Sequence, residues 1–170
     1  MSMGSLVPED KPVIWRAPLL AGTLKQFMKD VHWGELDYLL FDLPPGTGDM
    51  SLNIMQQIPD AAILIVTTPQ LTATSVAGRV GKMAEELNTD IAGVVENMSY
   101  YQCSDCERKH YIFGQSGGEE MAKGLKTELL AQIPLMPEVR EASDQGESIL
   151  LKDPDSEISN KFINIAHNIS

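Results

Sequence analysis

The sequence contains few basic residues. Its 13 Lys and Arg side chains are outnumbered by 24 Asp and Glu side chains, which gives a formal net charge of −11 at pH 7. Nucleic acids and anionic membrane surfaces both favour basic patches, so we expect neither as a partner. The longest purely apolar run, residues 61–66, is far shorter than the roughly 20 residues of a membrane helix.

A secretory signal is also missing, because residues 1–10 contain neither a basic start nor a long apolar core. We therefore expect a soluble, cytoplasmic protein. Cysteine is scarce, and Cys103 and Cys106 are the only two. In a reducing compartment, such a pair is more typical of metal binding or redox chemistry than of a structural disulfide.

The pattern of hydrophobic residues is typical of an α/β protein. The 170 residues are 43% hydrophobic and 22% charged, which is ordinary for a globular domain and argues against a disordered chain. Short β-rich runs alternate with longer helical patterns, as in a parallel sheet connected by helices. The predicted buried strands are residues 36–42, 61–67, 91–96 and 129–133, and the predicted helices are residues 21–31, 50–57, 72–87, 117–126 and 156–168.

Helix boundaries are predicted best for residues 72–87. Thr72 stands where an N-cap residue is expected, and Asn88 follows the last residue where a left-handed residue commonly ends a helix. The pattern of residues 138–154 assigns no element to that segment.

The most informative segment is residues 41–49, with the sequence FDLPPGTGD. Asp42 ends a predicted strand, and open α/β sheets bind ligands at such strand ends, where a carboxylate can hold Mg²⁺ through its waters. The glycines that follow, beginning with Gly46, allow backbone N–H groups to approach a phosphate closely. The segment resembles a Walker B strand that continues into a switch loop. A surface turn whose Asp caps the next helix is the alternative.

Several further motifs occur in a fixed order. Residues 13–18 read VIWRAP, residues 33–38 read WGELDY, residues 68–70 read TPQ, and residues 96–99 read ENMS. Together with residues 42–49 they resemble the Mrp/ApbC-type iron–sulfur cluster carrier ATPases, which are relatives of the ParA and MinD P-loop proteins. The resemblance extends from about Val13 to Gly146, and Ala17 stands where the family has glycine.

This resemblance implies a fold and a set of nucleotide-binding residues. The fold would be the back part of a doubly wound, mainly parallel sheet with flanking helices. Asp42 would act on Mg²⁺ and phosphate, Gly46 would sense the γ-phosphate of ATP, and Asn97 would reach the adenine ring, which the loop containing Pro137 would cover. An amide offers both a donor and an acceptor to a purine edge. From its position alone, a helix cap or turn former is the better interpretation of Asn97.

A phosphate-binding loop is absent from the sequence. Such a loop has the pattern Gly-x-x-x-x-Gly-Lys-Ser/Thr, and the only Gly-Lys pair, Gly81-Lys82, lies in a predicted helix. Because family members carry this loop upstream of the point where this chain begins, the resemblance implies a single, partial P-loop NTPase-like domain over residues 1–170. A Cys-x-x-Cys insertion near residues 100–113 would interrupt it. We expect the chain alone to bind ATP weakly and to hydrolyse it negligibly.

The cysteine pair is compatible with several chemistries. Cys-x-x-Cys motifs serve redox, zinc and iron–sulfur sites, and the charges of Asp105 and Glu107 are expected to disfavour a reactive thiolate. Two thiolates are half of the usual four ligands, and a twofold axis between two protomers supplies the other half. The resemblance implies a 4Fe-4S cluster bridged between the subunits of a homodimer. Zinc, with His110 as a third ligand, is the rival.

These observations lead to one principal hypothesis and two alternatives. The principal one is an ATP-dependent carrier that binds a 4Fe-4S cluster at a homodimer interface and transfers it to apo iron–sulfur proteins. The first alternative is a zinc- or cluster-binding interaction module without nucleotide chemistry. The second is a nucleotide-switched partitioning protein, which the cysteine pair and the acidic charge both disfavour.

Overall fold

The computed structural model describes the backbone of residues 17–170 and the side chains from Ala21 onward. Seven helices and five strands occur in this part of the chain. The helices are α1 (Ala17–Lys29), α2 (Asp49–Gln57), α3 (Leu71–Leu87), α4 (Gly117–Gly124), α5 (Pro137–Asp144), α6 (Ile149–Lys152) and α7 (Glu157–Ile169). The strands are β1 (Ile63–Thr67), β2 (Ile91–Glu96), β3 (Tyr101–Gln102), β4 (Lys109–His110) and β5 (Leu129–Gln132).

The main sheet has three parallel strands in the order β1-β2-β5. Ile65 pairs with Val94 of β2, and Val95 pairs with Ala131 of β5. Parallel strands require crossover connections, and α3 and α4 supply the helical parts of these connections. Within residues 17–170, β1 has a strand neighbour on one side only, so it forms an edge of the sheet.

Helices cover both faces of this sheet. Successive side chains of a strand point to opposite faces, so Val94 and Val95 of β2 enter two different clusters. The cluster around Val94 includes Met121 and Ala122 of α4, and the cluster around Val95 includes Ile158 and Ile165 of α7. The predicted α/β class, with a parallel sheet between helical layers, is confirmed.

The predicted strand over residues 36–42 was wrong for the described part of the chain. The structure contains an extended segment there with no strand pairing, and Leu36, Tyr38 and Leu40 are exposed, Leu40 by 84%. An apolar run becomes a strand only where a neighbour accepts and donates its backbone hydrogen bonds. Among residues 17–170, no strand lies beside this segment.

The other boundaries differ by a few residues from the prediction. Asn88 ends α3 in the left-handed conformation, with φ of 54°, as predicted. Thr72 is not the N-cap, because α3 begins at Leu71 after Gln70. Residues 138–154, which the sequence pattern left without an element, contain most of α5 and all of α6. No helix among the described residues is long and apolar enough to span a membrane.

Candidate functional site: a cysteine hairpin and the carboxyl edge of the sheet

The two cysteines lie in a short antiparallel hairpin, residues 101–110, which we call the cysteine hairpin. Its strands β3 and β4 pair Tyr101 with His110 and Gln102 with Lys109. The backbone N–H of Cys103 donates to the carbonyl oxygen of Arg108 at 3.0 Å, and the N–H of Glu107 donates to the carbonyl oxygen of Cys103 at 2.9 Å. These local hydrogen bonds fix the turn that carries both thiols.

The two thiols are not joined to each other and are accessible. Cys103 is partly buried, Cys106 is exposed, and the two form no disulfide. Hydrogen bonds from the backbone of Asp105 and then of Cys106, together with one from the Cys106 side chain, lower the pKa of the Cys103 thiol. This direction differs from the expectation that the charges of Asp105 and Glu107 disfavour the thiolate, because hydrogen bonds from the turn favour its charged form. A favoured thiolate is what a metal ligand requires.

Cys103 and Cys106 are two of the four ligands that such a metal site needs. Within residues 17–170, no three His, Cys, Asp or Glu side chains are grouped closely enough to hold a metal ion. His110 faces Tyr101 across the hairpin, with ring centroids 6.5 Å apart, and does not complete a site with Cys103 and Cys106. Thiolates are soft ligands, suited to zinc or to an iron–sulfur cluster, and both prefer four ligands in such sites.

The hairpin is attached to the body of the protein through Tyr100, a buried residue with 5% exposure. Its carbonyl oxygen accepts a hydrogen bond from the N–H of Leu135 at 2.7 Å. The Nζ of Lys109 lies 4.1 Å from the centroid of the Tyr100 ring, and the ring of Tyr111 lies 6.3 Å away, centroid to centroid. The base of the hairpin is thus packed against the segment that follows β5.

A fully buried carboxylate, Glu96, ends β2 and was not singled out from the sequence. Its Oε1 accepts hydrogen bonds from Ser99 Oγ at 2.6 Å and from Gln132 Nε2 at 2.9 Å. Its Oε2 accepts one from the backbone N–H of Gly118 at 2.6 Å. The available signal was a charged residue at the end of an otherwise apolar strand, because a buried charge requires such partners.

Asp42 and Gly46 lie outside the described sheet. Asp42 is exposed in the extended segment before α2. Gly46 adopts a φ of +92°, which favours glycine, and its carbonyl oxygen accepts a hydrogen bond from Ser51 Oγ at 3.0 Å. Gly46 therefore belongs to the turn that starts α2, and its backbone conformation agrees with a glycine-specific loop.

Asn97 and Pro137 both lie at the carboxyl edge of the sheet. Asn97 follows β2, donates its backbone N–H to Thr67 at 2.7 Å, and accepts at Oδ1 from the N–H of Met98 at 2.9 Å. Pro137 begins α5 and lines a cleft of about 340 Å³. That cleft is lined by Tyr101 of the hairpin and does not include Asn97.

Comparison with known proteins identifies the family. A model of the NUBPL iron-transfer P-loop NTPases, of the ParA group, matches residues 1–170. The chain belongs to this family. The iron–sulfur cluster carrier protein of Saccharolobus solfataricus is 44% identical over 171 residues, which cover 99% of this chain and 58% of the relative. The carrier protein of Methanocaldococcus jannaschii is 51% identical over 155 residues, which cover 90% of this chain and 53% of the relative.

Two further relatives extend the comparison. The mouse iron–sulfur cluster transfer protein NUBPL is 38% identical over 169 residues, which cover 99% of this chain and 53% of the relative. A nucleotide-binding protein from Archaeoglobus fulgidus, solved in complex with ADP, matches with a TM-score of 0.69 and 38% identity over 82% of this chain and 56% of that chain. This NUBPL-family chain spans about half the length of the curated relatives it matches.

The predicted P-loop NTPase fold is confirmed by these structural neighbours. The cell division ATPase MinD of Pyrococcus furiosus shares the fold, with a TM-score of 0.61 and 22% identity over 91% of this chain and 58% of that chain. Residues 13–16 of the first motif lie outside the described part of this family member. The roles of Asp42, Gly46, Asn97 and Pro137 stay predictions, as do those of the two cysteines.

Proposed function

We propose that this chain carries an iron–sulfur cluster on Cys103 and Cys106 and transfers it to apo iron–sulfur proteins. The observation that supports this function most directly is the pair of thiols in one exposed turn, where backbone hydrogen bonds favour the thiolate of Cys103. Accessible ligands suit a cluster that must leave the protein. The similarity to iron–sulfur cluster carrier and transfer proteins supports the same function.

We infer that the cluster is a 4Fe-4S cluster bound between two copies of the chain. A 4Fe-4S cluster takes four thiolates, and each copy contributes two. Twofold symmetry places the same turn of both copies at one interface, so that each copy presents Cys103 and Cys106 to the cluster in the same arrangement. The absence of a third ligand within the described residues of one copy supports this arrangement.

We further propose that ATP with Mg²⁺ regulates the carrier in the whole protein. Asp42 would act on Mg²⁺ and phosphate, Gly46 would sense the γ-phosphate, and Asn97 and Pro137 would contact the base. The positive φ of Gly46 and the place of Asn97 and Pro137 at the carboxyl edge of the sheet support these roles. A related structure that contains ADP supports a nucleotide site.

The organisation and setting of the chain follow from the same proposal. Residues 1–170 belong to a P-loop NTPase-like domain, and the Cys-x-x-Cys insertion lies near residues 100–113. The site is cytoplasmic, where reduced thiols persist. The acidic charge of −11 disfavours nucleic acids and anionic membranes as partners.

Anaerobic reconstitution tests the proposed function. The chain is incubated with iron and sulfide, and visible absorption, iron and sulfide content, and molecular mass are measured. We expect a broad charge-transfer band, four irons per pair of chains and a dimeric mass. Cys103→Ser and Cys106→Ser are expected to abolish all three.

Ser104→Ala is the matched control, because it changes the same turn and its hydroxyl contacts only the exposed carboxylate of Asp105, at 3.4 Å. It is expected to reconstitute like the unchanged chain. Transfer is then measured by activation of an apo 4Fe-4S enzyme. Stoichiometric zinc without a visible band, or a band that persists in both Cys→Ser variants, would contradict the proposal in favour of a zinc module or adventitious iron.

A further inference from the structure

Residues 99–118 connect the end of β2 to the start of α4, and we call this segment the excursion. The cysteine hairpin forms its middle. The two ends of the excursion meet at one side chain. Glu96 binds Ser99 at the departing end through Oε1 and the N–H of Gly118 at the returning end through Oε2, each at 2.6 Å. One carboxylate therefore ties together backbone segments that are about twenty residues apart.

A third hydrogen bond fixes the carboxylate itself. Gln132 of β5 donates to Oε1 of Glu96 at 2.9 Å, so the neighbouring strand sets the orientation of the carboxyl group. Glu96 is fully buried, and a buried carboxylate is tolerated only where donors satisfy its oxygens. A network of this kind, once satisfied, specifies one geometry of the groups that it joins.

The returning end of the excursion is shaped around Glu96. A Cβ atom at Gly118 would lie 2.8 Å from the Cβ of Glu96 and 3.0 Å from its Oε2. A Cβ atom at Gly117 would lie 2.5 Å from the carbonyl oxygen of Pro69. The backbone at the start of α4 thus approaches the end of β2 and the loop after β1 more closely than any side chain would allow.

We propose that Glu96 is a positioning residue for the cysteine hairpin. By binding both ends of the excursion, it fixes the direction in which the hairpin leaves the sheet and hence where the two thiols lie relative to the body of the protein. The pairing and hydrogen bonds within the hairpin join residues 101–110 to one another and do not involve Glu96. Loss of the carboxylate therefore removes the direct link between the two ends of the excursion and leaves the turn of the hairpin intact.

The effect of Glu96 on the cluster rests on the proposed function, in which both cysteines bind the cluster. Four thiolates from two copies meet only if each hairpin keeps its direction, whereas the chemistry of each thiol depends on its own turn. Weakening of the Glu96 network is expected to lower cluster retention while the pKa of Cys103 stays unchanged.

Glu96→Gln is the principal test. The side chain keeps its size but loses its negative charge, so its hydrogen bond to the Gly118 N–H is no longer one to a charged group. Ser99→Ala is a milder second variant, since it removes one donor and leaves the bond to Gly118. Glu128→Gln is the matched control: Glu128 is exposed and lies at the opposite, amino end of β5.

The first readout needs no cluster. Hydrogen exchange of the Gly118 amide is expected to accelerate about tenfold in Glu96→Gln, because its hydrogen bond to a charged group becomes one to a neutral amide. The pH profile of Cys103 alkylation, a cooperative thermal transition and exchange within α7 are expected to match those of Glu128→Gln. Unchanged exchange at residue 118 in a folded Glu96→Gln variant would overturn the positioning role.

The second readout is the cluster. After reconstitution, Glu96→Gln is expected to lose its cluster to a chelator several-fold faster than Glu128→Gln, with Ser99→Ala between them. Equal loss rates in folded variants would refute the link between Glu96 and the cluster. If the unchanged chain binds no cluster, the proposed function fails, and the exchange measurement still decides whether Glu96 fixes the hairpin.

Discussion

The Nζ of Lys109 lies 4.1 Å from the centroid of the Tyr100 ring, which places a cation of the cysteine hairpin on the face of a buried aromatic residue at its base. This contact and the carboxylate of Glu96 hold the hairpin from two sides. The cation acts on the β4 strand, whereas the carboxylate acts on the two ends of the excursion.

Replacement of Lys109 tests the first of these contacts. Lys109→Met removes the cation and keeps the length of the side chain, and we expect the free energy of unfolding to fall by about 0.5–1 kcal/mol, as for a cation–π pair at an exposed site. Lys109→Arg retains a cation and is expected to remain within error of the unchanged chain. Urea titration measures both, and equal destabilisation by Met and Arg would contradict the cation–π interpretation.

The lowered pKa of Cys103 predicts when this thiol reacts. A depressed pKa means that the proton leaves at a lower pH, so alkylation of Cys103 by iodoacetamide is expected to reach half of its maximal rate below the pH required by an ordinary cysteine. Cys106→Ser is expected to move this midpoint, because it changes a side chain that hydrogen-bonds to Cys103.

Mass spectrometry of the two cysteine peptides separates the rates of Cys103 and Cys106. Alkylation of the chain unfolded in urea supplies the reference midpoint. A folded-state midpoint at or above that reference would show that the backbone amides of Asp105 and Cys106 do not stabilise the thiolate.

The 170-residue chain is expected to release phosphate from ATP no faster than a buffer control. Its sequence contains no Gly-x-x-x-x-Gly-Lys segment, and its one Gly-Lys pair, Gly81-Lys82, lies within α3. Lys82→Met is therefore expected to change nothing in a phosphate-release assay. Steady turnover that disappears in Lys82→Met would show that α3 contributes to a nucleotide site.

The core predicts a contrast within one helix. Ile158 of α7 has 2% exposure and packs in the cluster around Val95, whereas Ile163 of the same helix has 37% exposure. Ile158→Ala is expected to reduce the free energy of unfolding by about 2–5 kcal/mol, because it removes buried methylenes and leaves a cavity. Ile163→Ala should reduce it by much less. Similar decreases in the free energy of unfolding for both variants, measured by urea titration, would contradict the placement of Ile158 in the core.

Local patterns predicted the parts of the fold that depend on neighbouring residues. The apolar run of β2 and the left-handed Asn88 at the end of α3 were both recognisable from sequence, because burial periodicity and helix ends leave local signals. The predicted strand over residues 36–42 was wrong because strand formation depends on a partner elsewhere in the chain.

The candidate site divides in the same way. Cys103 and Cys106 form a recognisable motif, so the sequence could place both in one turn. The role of Glu96 depends on contacts with residues 22 and 36 positions away, Gly118 and Gln132, which no local pattern reveals. Asp105 and Glu107 misled the prediction about the thiolate because side-chain charges are visible in a sequence and backbone hydrogen bonds are not.

Within residues 17–170, β1 has a strand neighbour on one side only, and its other side affects how dimers of this chain are interpreted. Its outward backbone N–H and C=O groups offer a template on which a strand of another copy can add, and Val66 on this strand is 57% exposed. Two copies joined there would have the same mass as two copies joined by a shared cluster. An association that requires both cysteines and that a chelator reverses is due to the shared cluster. An association that persists in Cys103→Ser is due to strand addition.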